Sequence, residues 1–200
     1  MNKSQQLELI NEKVKTCQKC PFLVENRTQT VFGEGNVNAQ VAFLGEAPGQ
    51  DEDKSGRPFI GRAGKVLDSF LASCNLNRED VYILNICKCR PPSNRAPLIE
   101  EANNCRPFLE LQLQVLKPKF IICLGATASQ NLLKTEEKIS ALRGQIFKCD
   151  IEGVDAKVIC TYHPAYVLRN PAAKGKVWDD LKVFLEELEK DTSQTTEINI

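Results

Sequence analysis

The sequence lacks any apolar run approaching the roughly 18 residues that a membrane-spanning helix needs, and its polar opening, MNKSQQLELINEKVK, has no secretory apolar region. No membrane partner and a cytoplasmic, nucleoid-associated location are therefore expected. Net charge is missing too. Lys plus Arg and Asp plus Glu number 26 each, which argues against a protein that holds nucleic acid by bulk charge but leaves room for a local basic face. Neither a Walker loop nor a Gly-x-Gly-x-x-Gly fingerprint occurs, so a nucleotide cofactor is not expected. No internal repeat or low-complexity linker divides the 200 residues. That predicts a single domain over 1–190 and a polar, flexible tail over 191–200 (DTSQTTEINI).

Cysteine, by contrast, is plentiful at nine residues. An odd number without a leader reads as a reducing compartment with a metal or cluster site, not as a disulfide framework. Cys123 and Cys160 fall in apolar strand-like runs and Cys74 on an apolar helix face, where each acts as a small buried hydrophobe; Cys149 carries no signal. The others are Cys17 and Cys20 (CQKC), Cys87 and Cys89 (CKC), and Cys105. A Cys-x-x-Cys pair with two distant cysteines closes a four-thiolate site for zinc or for an iron–sulfur cluster, and ordinary free thiols satisfy the same spacing. Spacing chooses neither the metal nor between Cys87, which continues an apolar strand, and Cys89, which joins Arg90 and two prolines in a loop.

Four β-rich runs recur: VAFLGEA (41–47), VYILNICK (81–88), FIICLG (120–125) and KVICTYHP (157–164). Near-continuous apolar strands with helices between them predict a parallel sheet covered on both faces, a three-layer α/β/α arrangement with a helix at each end of the chain. Val66, Leu67, Phe70, Leu71 and Cys74 form one helical stripe, and Val177, Leu181, Phe184, Leu185 and Leu188 another. In APLIEEANNCRPFLELQLQVL, Pro97 suits a first turn and Pro107 is expected to kink or divide the helix. Ligands of such sheets bind at the carboxyl ends of the strands. That rule selects GEAPG, NICKCRPP, GATAS and YHPAYVLR.

Those ends carry chemistry. His163, the only histidine, can donate to a developing negative charge, with Arg169, Lys174 and Lys176 behind it for phosphate contacts. A plain surface histidine and a polar helix start would account for the same residues. Asn85 can offer a donor and an acceptor together, as the edge of a nucleobase requires. Phe59 is either core or a stacking platform, with Gly56, Gly61 and Gly64 around it allowing close backbone approach and Arg57 and Arg62 beside it. In GEAPGQDED, Asp51 and Asp53 read as solvated loop charges.

GEAPGQDEDKSGRPFIGRAG, NICKCRPPSNRAPLIEEANNCRPFL and HPAYVLR, in that order and preceded by CQKC, closely resemble the family 4, iron–sulfur, thermostable-type uracil-DNA glycosylases, from about Cys17 to the final helix. The resemblance implies a central four-stranded parallel sheet between helices, a structural 4Fe-4S cluster, and a monomer that flips uracil out of single- or double-stranded DNA and hydrolyses its N-glycosidic bond. It implies Cys17, Cys20, Cys89 and Cys105 as cluster ligands, with Cys87 an extra thiol. Phe59 matches the ring that stacks on uracil, Asn85 the amide that reads its edge, His163 the donor to O2, and Glu52 the acid at the C5 edge that excludes thymine. Gly45, Glu46 and Ala47 line the same pocket, and Glu46 is the candidate water-orienting carboxylate, because Ala47 stands where the best-known relatives carry aspartate. Val167 and Leu168 match the duplex wedge and Arg169 a phosphate anchor. Two rival readings are an iron–sulfur electron-transfer protein and a metal-stabilised DNA-binding module without catalysis.

Overall fold

The computed structural model describes residues 1–197, with side chains as far as 193. Its strands are β1 (Glu34–Gly35), β2 (Val41–Gly45), β3 (Tyr82–Asn85), β4 (Phe120–Leu124), β5 (Ile146–Asp150) and β6 (Asp155–Thr161), joined in one sheet in the order β1-β3-β2-β4-β6-β5. The four apolar runs are the parallel centre, β3-β2-β4-β6. Their apolar stretches are nearly unbroken because both faces are covered: β2, β3 and β4 are buried at every position, and β6 over its last four.

The helices are α1 (Lys3–Lys15), α2 (Pro21–Asn26), α3 (Gln50–Ser55), α4 (Arg62–Ser73), α5 (Ile99–Leu116), α6 (Ala126–Leu133), α7 (Ile139–Leu142), α8 (Pro164–Arg169) and α9 (Lys174–Glu197). Strand alternation sorts them into two layers. Ala42, Leu44, Leu84, Ile121 and Cys123 face α1, α5, α6 and α7, whereas Val41, Phe43, Ile83, Phe120 and Ile122 face α4, α8 and α9. Cys74, Cys123 and Cys160 are buried in these cores, as expected of small hydrophobes. None of the helices among the described residues is long and apolar enough to cross a membrane.

Four expectations need correction. The sheet has six strands, not four, because β1 and β5 add antiparallel edges. β1 is only two residues long, and β5 (IFKCD) alternates between half-buried and exposed, so neither has an apolar run to read. Pro107 lies inside α5 without dividing it, and Pro97 precedes the N-cap, Leu98, instead of entering the first turn. Helix α9 continues to Glu197, into the segment expected as a tail, and 198–200 lie outside the described residues.

The fourth correction bears on the site. Asp53 is only 2% exposed, and its two carboxylate oxygens accept from the Thr28 backbone N–H at 2.9 and 3.0 Å. It therefore ties α3 to the chain between α2 and β1. Asp53→Ala is expected to lower the unfolding free energy by about 1–3 kcal/mol, the cost of orphaning a part-buried amide, and Asp51→Ala by less than about 0.5 kcal/mol. Equal urea midpoints for the two variants would refute the tie.

Candidate active site

The chain leaves β2 for β3 on one side and leaves β4 for β6 on the other, so the strand order reverses beside β2. A crevice opens there, at the carboxyl ends, and its cleft is about 610 Å³, in the range of small-ligand sites. Two other clefts, of about 670 and 740 Å³, are as large. Chemistry, not size, singles this one out.

Gly45 and Asn85 are register partners at the ends of β2 and β3. A Cβ on Gly45 would lie 2.4 Å from Asn85 Oδ1 and 2.5 Å from Phe59 Cζ, so the glycine admits both groups to one wall. Asn85 is 2% exposed, and its Oδ1 has no hydrogen-bond partner among the described residues. A buried, unpaired acceptor costs about 1–3 kcal/mol, an expense that a ligand N–H would remove. Phe59 is buried with φ at 52°, in the left-handed region. Its ring centroid lies 5.7 Å from that of His163.

His163 caps α8, and the Ala165 N–H donates to its Nδ1 at 3.0 Å. Burial, and then the positive charge of Arg169, pull its pKa down to about 4. The imidazole is therefore neutral at pH 7 and, with Nδ1 accepting, carries its proton on Nε2. Gly125, after β4, makes room for it, since a Cβ there would lie 2.9 Å from His163 Cβ.

The expected residues are placed unevenly. Glu46, Ala47, Glu52, Phe59, Asn85, His163 and Arg169 line the cleft. Glu46 accepts from the Thr127 hydroxyl of α6, a residue that sequence reasoning missed. The carboxylate of Glu52 is already occupied: Oε1 accepts from Ile60 N–H at 2.9 Å and Gly61 N–H at 2.8 Å, and Oε2 from Gly49 N–H at 3.1 Å. It bears on the cleft through the loop that carries Phe59. Val167 is not available as a wedge, because at 7% exposure it packs in the core beneath α4 and α9, whereas Leu168 is 38% exposed. Asn94, Arg95 and Ala96 also reach the cleft, and nothing in their pattern signalled it.

Cys17, Cys20, Cys87, Cys89 and Cys105 line one recess. Among the described residues, no group of three or more His, Cys, Asp or Glu meets the geometry of a bound metal ion. Donors reach three of the sulfurs, although burial pushes the Cys20 and Cys89 thiols up. Arg27 Nη1 donates to Cys89 Sγ at 2.9 Å, Lys88 N–H to Cys105 Sγ at 3.3 Å, and Asn104 Nδ2 to Cys20 Sγ at 3.7 Å. A hydrogen bond to Cys105 and burial push the Cys87 thiol well up. Lys88, which is also buried, donates from Nζ to the Asn85 carbonyl at 2.6 Å, so the recess touches the base of the cleft.

The family model described as "Uracil DNA glycosylase superfamily" matches residues 32–182. The chain is 43% identical over 188 residues to a type-4 uracil-DNA glycosylase of Thermotoga maritima, covering 94% of this chain and 93% of that protein. It is 44% identical over 180 residues to a type-4 uracil-DNA glycosylase of Archaeoglobus fulgidus, covering 88% and 90%. With a type-5 uracil-DNA glycosylase of Pyrobaculum aerophilum the identity is 27% over 190 residues, covering 79% and 81%.

Because His163 is the only histidine, its titration can be read without assignment. Its imidazole proton resonances are expected to stay constant from pH 8 to about 5.5, given a pKa of about 4. A midpoint near 6.5 would refute the buried, neutral state. The unfolded chain takes up this proton first, so the stability it contributes is complete above pH 6.5 and is lost as the pH falls toward 4, amounting to about 3 kcal/mol.

Proposed function

The chain belongs to the uracil-DNA glycosylase superfamily, and on that premise we propose that it is a DNA-repair enzyme that flips uracil out of single- or double-stranded DNA and hydrolyses its N-glycosidic bond, leaving an abasic site. The observation that carries this reading is the buried Oδ1 of Asn85, unpartnered among the described residues, which meets the ring of Phe59 beside Gly45 in a cleft that a neutral His163 also lines. Nothing in an electron-transfer protein or a non-catalytic DNA-binding module calls for that arrangement.

Extruding a nucleotide costs a few kcal/mol of stacking and pairing. In the cleft the base lies on Phe59, uracil N3–H donates to Asn85 Oδ1, and the Asn85 amide donates to O4. Cytosine presents the opposite pattern at both atoms. Sites that hydrogen-bond a substrate in this way reject the mismatched analogue by about 10⁴-fold or more. Glu52 contributes to excluding the thymine methyl by fixing the Gly49 and Phe59–Gly61 backbone that walls the pocket.

Breaking the C1′–N1 bond leaves the electron pair on uracil and positive charge on the sugar. His163 Nε2–H donates to O2 as negative charge collects there, a contribution of about 3–4 kcal/mol for one well-placed donor. Glu46, oriented by Thr127, stabilises the sugar cation and aligns the water whose oxygen joins C1′ and whose proton passes to the uracil anion. It takes over from the carboxylate that Ala47 does not supply. Leu168 is the exposed wedge and Arg169 the phosphate contact. The protein acts as a monomer in the cytoplasm, at the nucleoid.

Cys17, Cys20, Cys89 and Cys105 would hold a 4Fe-4S cluster, for which the N–H donors around their sulfurs are suited. When bound, it supplies metal–thiolate bonds that fasten the segment after α1, the loop after β3 and helix α5 together. Base excision transfers no electron, so the residues of the cleft carry the reaction. Metal analysis should find about four irons per chain with broad visible absorption; stoichiometric zinc would overturn the assignment.

Incubation with uracil-containing oligonucleotides, single-stranded and duplex, followed by alkali tests the activity. The parent protein should cleave at uracil. His163→Ala should retain DNA binding and lose about 10²- to 10³-fold in kcat, and Asn85→Ala should lose selectivity for uracil. Strand scission by neither substrate would refute the function, and a parental rate for His163→Ala would refute the role of the imidazole.

A further inference from the structure

We propose that Arg78 is a positioning residue for uracil recognition, holding Phe59 in its stacking pose from outside the cleft; this rests on the glycosylase reading above. Arg78 opens the short helical turn Arg78–Asp80 before β3 and does not line the cleft. Its guanidinium reaches around to the loop that carries Phe59. Nη2 donates to the Pro58 carbonyl at 2.6 Å and Nη1 to the Phe59 carbonyl at 3.0 Å. The guanidinium is itself fixed. Nη1 also donates to Asp68 Oδ1 of α4 at 2.8 Å, and Nη2 and Nε donate to Glu34 Oε1 of β1 at 3.1 and 3.3 Å.

The same loop is held from its other side. Glu52 accepts from the next two amides, Ile60 and Gly61. Four consecutive residues, 58 to 61, are thus fastened by two side chains of opposite charge, one taking the carbonyls and one the amides. The residue between those anchors is the one that needs them. Phe59 has φ at 52°, a conformation that a bulky side chain keeps only where its surroundings impose it. Gly64 of α4 completes the constraint, since a Cβ there would sit 1.8 Å from the Phe59 carbonyl oxygen. Remove Arg78, and both carbonyls lose their charged donor, the left-handed turn is free to relax, and the ring leaves the plane on which the base stacks.

Such a residue affects binding of the flipped base more than the bond-breaking step, because it touches no reacting atom. On a single-stranded uracil oligonucleotide, Arg78→Ala should raise KM about tenfold, the scale of one base–aromatic stack, with kcat within about threefold of the parent. Arg78→Lys keeps the charge between Glu34 and Asp68 but cannot bond two adjacent carbonyls as the planar fork does. It should show the same rise in KM, and it carries the comparison if Arg78→Ala does not fold. Asp68→Asn weakens the ion pair while leaving both carbonyl bonds, and should keep the parental KM. In the Phe59→Ala background, Arg78→Ala should add nothing further, because both changes remove the same stack. Parental KM in Arg78→Lys, or effects of Arg78→Ala and Phe59→Ala that multiply, would overturn the positioning role. A parent protein that fails to cleave uracil DNA would instead overturn the glycosylase reading itself.

Discussion

The cleft is organised by the close approach of two segments to position 45, where β2 ends and a hydrogen is the only side chain that fits. Because Gly45 withdraws, Asn85 from the neighbouring strand and Phe59 from the loop before α4 share one wall, and the His163 ring comes within stacking range of Phe59. A second glycine, at 125, plays the same part for His163. The parallel centre of the sheet supplies these ends in register, and the helix layers fix which faces they present. The antiparallel edges, β1 and β5, place no residue in the lining of the cleft, and β1 acts on it only through Glu34, which fixes Arg78 behind Phe59.

Two groups in the cleft are held in states that water would not favour, and a third stays neutral at a pH where water would protonate it. Asn85 Oδ1 is buried without a donor, His163 is kept neutral by desolvation, and Phe59 sits in the left-handed region. The first and the last cost stability locally, and the states of His163 and Phe59 are maintained by neighbours that do no chemistry: the Ala165 amide on the imidazole, and Glu52 on the loop carrying the ring. Local strain of this kind, sustained by a surrounding frame, is characteristic of sites arranged in advance for a ligand.

The strands at the centre were legible because burial on both faces forces an unbroken apolar run, and the layer-forming helices because their stripes repeat at the helical period. The edge strands were not, since a two-residue strand and an alternating one leave no such run. Within the site, His163, Asn85 and Phe59 could be placed from the rule that ligands bind at strand ends together with the family resemblance. The errors came from side chains whose partners are distant in sequence. Asp53 looked solvated among acidic neighbours until Thr28, 25 residues away, proved to be its partner. Val167 and Leu168 looked alike because one turn of α8 is too short to show which side faces the core. Thr127 and Lys88 fell within the strand-end segments GATAS and NICKCRPP without standing out there, as their roles exist only once β4, β3 and the loops beside them are assembled.

The unpartnered oxygen of Asn85 has a consequence for turnover. On the glycosylase reading it accepts from the N3–H of uracil, a group that cleavage leaves unchanged, and Phe59 stacks on the base equally well whether or not the sugar is attached. The contacts that select the substrate are therefore also contacts with the released base. A cleft built for tight recognition of uracil in DNA retains free uracil as a competing ligand, and departure of the base, not only scission of its bond, then bears on how quickly the enzyme returns to damaged DNA.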